Sequence, residues 1–153
     1  MTNVVKDWVG DWESYAFNGT QALNAAVDDE WVSLGEELSN QSLGRALQCD
    51  FHLAMDSAIF VNADSAIELY LVPIGNADVY PDFADDVTTD QQQNNVHFIG
   101  SLTTSGGTAA QELYLRDVEL PVGKFKLGAR NRASVTLAGT NTLYRRFHTV
   151  GSA

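Results

Sequence analysis

Residues 120–148 read LPVGKFKLGARNRASVTLAGTNTLYRRFH, and the fold class is decided there. Leu120-Pro121-Val122-Gly123 is turn chemistry, because proline fixes φ and glycine tolerates positive φ. From Lys124 the chain alternates: Phe125, Leu127 and Ala129 share one side, and Lys124, Lys126 and Arg130 share the other. A period of two is the mark of a half-buried strand. Asn131-Arg132 reads as a polar break and Val135 with Leu137 as a second short alternating run. Ala138-Gly139-Thr140-Asn141 reads as a hairpin turn. The last run sets Leu143, Arg145 and Phe147 against Tyr144, Arg146 and His148. Neither set is cleanly apolar, which predicts a bulge, an edge position or a strand with both faces in contact.

The same period recurs upstream. The cleanest case is Arg45 to Met55, with Leu47, Cys49, Phe51, Leu53 and Met55 on one face. Ala66–Pro73, Val96–Leu102 and Gln111–Leu120 read as further strands. Leu23–Val27 and Trp31–Leu34 read as two short ones joined by an acidic turn, Asp28-Asp29-Glu30. Residues 1–20 carry Trp8, Trp12, Tyr15 and Phe17 among polar residues. They read as an N-terminal arm or first strand packed on the core, or as an arm docked on a neighbouring subunit. Eight or nine short strands with Gly, Pro and Asn turns predict an all-β fold. The expected architecture is a single β-sandwich of jelly-roll or Greek-key type over residues 21–153, with an extended N-terminal arm over 1–20. The predicted core is Leu47, Cys49, Phe51, Leu53, Ile67, Leu69, Leu71, Leu113, Leu115, Phe125 and Leu127.

At 153 residues the chain is long enough for one domain with a real core. Its single cysteine, Cys49, excludes an intrachain disulfide and reads as a small core hydrophobe. The start, MTNVVKDWVGDWE, has no apolar run and carries early acids, so it is not read as a signal peptide. No apolar run approaches the roughly 18 residues that span a bilayer. Net charge is −11, with 17 acids and 2 bases in residues 1–90 and 3 acids and 7 bases in residues 91–153. Acidity of this size argues against general nucleic-acid binding, which needs a basic footprint. The segregation predicts an acidic side and a small basic one, unless folding interleaves the two halves.

Candidate chemistry is sparse. Residues 74–95 form a long polar connection with Asp78, Asp82, Asp85, Asp86 and Asp90. Clustered carboxylates suit Ca²⁺, but the spacing matches no established calcium loop, so a solvated loop is the expectation. Thr103-Thr104-Ser105-Gly106-Gly107 is neither a phosphate loop nor a nucleophile elbow. His97 and His148 stand alone in sequence, His52 has no nucleophile beside it, and no metal or cofactor is expected.

Three stretches carry a resemblance: Asp64–Pro73, Asn94–Ala110 and Leu120–Phe147. The chain resembles the small β-sandwich virion proteins of tailed bacteriophages and prophages. Members often carry a Pro-Gly-Lys-Phe/Tyr-Lys turn, an Arg-Asn pair and a Gly-Asn-Thr-Leu-x-Tyr/Trp-Arg ending. Here these are Val122-Gly123-Lys124-Phe125-Lys126, Arg130-Asn131 and Gly139-Thr140-Asn141-Thr142-Leu143-Tyr144-Arg145. Val122 stands where Pro is common, and Thr140 is inserted before Asn141. The similarity covers most of the chain from about residue 20, and its motifs are structural rather than catalytic.

The resemblance implies a non-enzymatic capsid decoration (cement) protein on the outer surface of the head. Its partners would be the major capsid protein and, in a homotrimer, itself, with no nucleic acid and no membrane. On that reading the candidate capsid or subunit interface is Trp8, Trp12, Lys124, Lys126, Arg130, Arg145 and Arg146. Arg145 stands apart, because it shares a face with Leu143 and Phe147 and so reads as a paired interior or interface arginine. A carbohydrate-binding tail or baseplate module is the alternative, with exposed Trp and Tyr stacking on sugars. A jelly-roll hydrolase is third, since the acids follow no catalytic motif.

Overall fold

The computed structural model describes residues 4–17, 23, 26–32, 35–39, 47–55, 65–74, 96–107, 109–137 and 140–152. Nine strands run in chain order: β1 Val4–Tyr15, β2 Trp31–Val32, β3 Leu38–Ser39, β4 Leu47–Met55, β5 Ala66–Pro73, β6 His97–Thr103, β7 Gln111–Glu119, β8 Lys124–Arg132 and β9 Asn141–Ser152. One sheet has the order β1-β9-β4-β7 and the other β2-β8-β5-β6, with β3 also paired to β8. Every pairing is antiparallel.

The order is that of a ribbon folded back on itself. β1 meets β9 and β2 with β3 meets β8; β4 meets β7 and β5 meets β6; the β4·β9 and β5·β8 pairs join the two halves. Counting β2 and β3 as one position gives eight strands in two four-membered sheets, the jelly roll. Trp31 and Val32 sit opposite Arg130 and Ala129, whereas Leu38 and Ser39 sit opposite Phe125 and Lys124. The gap between them holds Gly35, whose N–H donates to the Leu127 carbonyl at 3.2 Å. The Tyr15 ring fills the space where a Gly35 side chain would begin. The Tyr15 hydroxyl accepts from the Leu127 N–H at 2.9 Å and donates to the Glu36 carbonyl at 2.9 Å. One buried tyrosine from β1 thus splits a strand of the opposite sheet and satisfies the backbone it displaces.

The core lies between the sheets. Cys49, Phe51, Leu53, Ile67, Leu69, Leu71, Leu113, Phe125 and Leu127 are all buried as predicted, and Leu115 is partly buried against them. The side chain of Leu47 falls outside the described residues. Burial pushes the Cys49 thiol up to about 12, as a small core side chain in a dry setting requires. Residues 4–15, expected within an arm, form the end strand of one sheet.

Four expectations are corrected. Asn131-Arg132 is not a break: β8 runs through it, and Asn131 is fully buried. The run at Val135 and Leu137 is not a strand. The pair packs on the core from the connection between β8 and β9, tied by the Leu137 N–H to the Ala26 carbonyl at 3.0 Å. The expected hairpin after β8 is not formed, because β8 and β9 belong to different sheets; residues 138 and 139 of that expectation lie outside the described residues. Leu23, Ala26 and Val27 are turn and coil, while the short strand Leu38–Ser39 went unpredicted. Asp28 and Asp29 form the turn expected of them, with Asp29 at φ 63°.

Candidate functional site

The candidate interface residues divide between the two sheets. On β8 the outward positions are Lys124, Lys126, Arg130 and Arg132, as the alternation predicts. Acids meet them from the flanking strands and turns. Lys124 pairs with Glu37 at 3.1 Å, and Arg130 reaches Asp29 at 3.6 Å. Arg132 is bonded to the same Asp29 carboxylate. Arg130 is 9% exposed, lies over the Trp31 ring and stands opposite Glu68 in register. Folding therefore interleaves the acidic first half with the basic second half, and the basic stripe is compensated within the chain. Lys124 and Lys126 remain half-exposed, and Val122, at the tip of the β7–β8 turn, is 80% exposed.

Beside this stripe Trp31, Tyr70 and Phe98 form an aromatic row. Tyr70 sits opposite Gly128 in register, and Trp31 closes on it with ring centres 4.7 Å apart. Phe98 meets Tyr70 edge to face and is 58% exposed. Burial and the hydrogen bond to Glu68 at 2.7 Å push the Tyr70 hydroxyl well above its ordinary range.

On the other sheet, β9 has both faces in contact, the third of the expected outcomes. Arg145 points inward with Leu143 and Phe147 and is bonded to Glu13 and Glu36, with its side chain 13% exposed. It also lies over the Tyr15 and Phe147 rings. The prediction of a paired interior arginine holds. Arg146 and His148 face outward. A register shift in β1 between Val9 and Glu13 sets Trp12 beside Arg146, whose guanidinium lies 4.4 Å from the ring centre. The main chain of Trp8 pairs with His148 in register; its side chain falls outside the described residues.

A stack of rings crosses this outer face. His52 lies flat on Tyr114 at 4.4 Å and 6°, and on Tyr144 at 5.5 Å and 20°, because the three are directly opposite in register. Glu112 is bonded to His52, Arg116 lies over the Tyr114 ring at 5.2 Å, and Trp12 closes edge-on against His52 and Tyr114. A sugar needs an open aromatic face. Here His52 is stacked between Tyr114 and Tyr144, Arg146 lies on Trp12, and Trp31 is buried on the other sheet. On this face the described aromatics form a cohesive cross-strand stack, while Tyr114 keeps 47% of its surface exposed.

Below the stack is a cluster that sequence reading missed. Asp50 and His148 are buried on the outer side of β4 and β9. A bulge between Cys49 and Phe51 puts Asp117, at φ 58°, next to them. Asp50 accepts from the Asp117 N–H at 2.9 Å and from Arg146 at 3.2 Å. His148 Nε2 lies 3.4 Å from Asp50 and 3.8 Å from Asp117. The three residues are separated by long stretches of chain, so only the strand pairing brings them together. No local signal marked it, because Asp50 falls on the polar face of the alternation in β4, where an aspartate is ordinary. The acidic stretch at 75–95 lies outside the described residues.

No protein-family profile matches the sequence, and no similar curated protein is found.

Proposed function

We propose that this protein is a non-enzymatic structural component of a tailed-phage virion, a decoration protein bound to the outer surface of the head. Its partner would be the major capsid protein, and it would sit as a homotrimer on three-fold or quasi-three-fold positions of the lattice. The observation that carries the reading is the jelly roll itself, an architecture shared by viral coat proteins. Fold does not assign function, so the phage assignment rests on the motifs that resemble virion proteins.

The structure supports a framework role for those motifs. Arg130-Asn131 ties β8 to the Asp29 turn, and Arg145 locks β9 to Glu13 and Glu36. Docking would use the end of the sandwich where Val122 projects and Lys124 and Lys126 are half-exposed, an apolar tip flanked by cations. Long-range attraction to an acidic capsid surface would speed association. Matching symmetry would let one trimer engage several capsid subunits at once. The trimer rests on this lattice argument and not on β9, whose faces are covered within the chain.

Labelled antibody against the protein, imaged on source particles by electron microscopy, tests the assignment. Label distributed over heads is expected. Label confined to the tail tip would replace this reading with the baseplate one.

A further inference from the structure

We propose that Asp50, Asp117 and His148 form a binding site for a divalent transition-metal ion of the zinc class. The sequence expectation was that no metal would bind, because His148 has no ligand near it along the chain. Strand pairing supplies two. One ligand atom from each of the three residues lies within 4.8 Å of the others.

The spacing is the argument. Of the two carboxylates, Asp50 already has the Arg146 guanidinium at 3.2 Å, so an added cation would offset the charge that remains. An imidazolium serving as that cation would be expected within about 2.7–2.9 Å of a carboxylate oxygen. His148 Nε2 instead lies 3.4 Å from Asp50 Oδ1 and 3.8 Å from Asp117 Oδ1. Ligands about 2.0–2.2 Å from a tetrahedral ion stand about 3.3–3.6 Å apart. The first distance already fits; the second, and the separation of the two carboxylates, which lies within 4.8 Å, would close by movement of the half-exposed Asp117.

The surroundings suit the role. Arg146 engages Asp50 Oδ2, and the Asp117 N–H takes one lone pair of Oδ1, which fixes the carboxylate and leaves the other lone pair for the ion. His148 and Asp50 are buried, whereas Asp117 is half-exposed, so an ion can enter from the Asp117 side with water as a fourth ligand. One imidazole with two carboxylates favours a zinc-like ion over Ca²⁺, which prefers six or more oxygens.

The test uses the full chain, stripped with chelator and titrated with Zn²⁺ by calorimetry, with Ca²⁺ as control. One Zn²⁺ per chain is expected, with a rise in Tm of about 5–10 °C at a hundredfold excess over Kd. The His148 ring nitrogens should shift in ¹⁵N-resolved NMR spectra. Asp117→Asn keeps the backbone, because Asn tolerates positive φ, and should weaken binding at least about tenfold. Three results would each overturn the proposal: no Zn²⁺ bound, undisturbed His148 nitrogens in the presence of bound Zn²⁺, or wild-type affinity in Asp117→Asn. The last would place the ion elsewhere, as in the acidic stretch at 78–90.

Discussion

Asn131 offers the sharpest test of how this fold is held. It is fully buried on the inner side of β8. Its Nδ2 donates to the carbonyls of Ala26 at 2.9 Å, Val27 at 3.0 Å and Val135 at 2.8 Å, and its Oδ1 accepts from the Ala133 N–H at 2.9 Å. One side chain thus ties the segment before β2 to the crossing between the sheets. Asn131→Ala removes all four bonds and leaves a void that buried carbonyls cannot fill. At about 1 kcal/mol net per bond, with two N–H groups shared among three acceptors, the loss is about 3–4 kcal/mol. That is a large part of the 5–15 kcal/mol typical of a domain and lowers Tm by about 10 °C. Asn131→Asp keeps the Ala133 bond but turns an anion toward three carbonyl oxygens. It should be at least as damaging at neutral pH and recover in acid, once the carboxyl can donate again. Urea titration followed by circular dichroism measures both variants. A loss below about 1 kcal/mol for Asn131→Ala would refute the idea that this residue joins the layers.

Further expectations concern the core, the alkaline limit and the charged surface. Phe51 is fully buried, so Phe51→Ala should lose about 3–5 kcal/mol in the same titration, and a loss under about 1 kcal/mol would make it peripheral. The Cys49 thiol is pushed from 9.0 to about 12, so between those values the unfolded chain releases a proton that the native chain keeps. Stability therefore holds below pH 9 and falls as pH rises toward 12, with Tyr70 adding in the same direction. Urea midpoints at several alkaline pH values should show a shallower decline for Cys49→Ala than for wild type. Lys124→Glu with Lys126→Glu should leave folding intact but slow attachment to undecorated heads. Raising NaCl from about 0.05 to 0.5 M should have a similar effect on wild type, as the Debye length falls below 10 Å. Arg130 and Arg146 are poor choices for such charge reversal, since each is committed to a pair with Asp29 or Asp50.

The sheets were legible where the two-residue period was clean. Ala66–Pro73 was predicted to the residue, and β4 was found because five apolar side chains alternate along it. Arg145 could be placed because its neighbours two residues away on either side are apolar. Legibility ended where a polar side chain serves the interior. Asn131 looked like a break because its composition is that of a turn, yet its hydrogen bonds all go to backbone that lies far away in sequence or follows in the crossing. Trp12 with Arg146, and Asp50 with Asp117 and His148, depend on bulges in β1 and between β4 and β7. A bulge changes which residues face each other without altering composition, so no local pattern discloses it. The crossing at 133–140 failed as a hairpin for a related reason, since turn chemistry does not say which sheet the next strand joins.

Reconstitution probes the proposed attachment to a tailed-phage head. Purified protein is titrated onto undecorated tailed-phage heads, the particles are pelleted, and saturated particles are imaged by cryo-electron microscopy. Saturable co-sedimentation is expected, with discrete added density on the outer surface at three-fold or quasi-three-fold positions and the Val122 end of the sandwich toward the shell. Heads that pellet without the protein at saturating concentration, or maps with no added surface density, would contradict it.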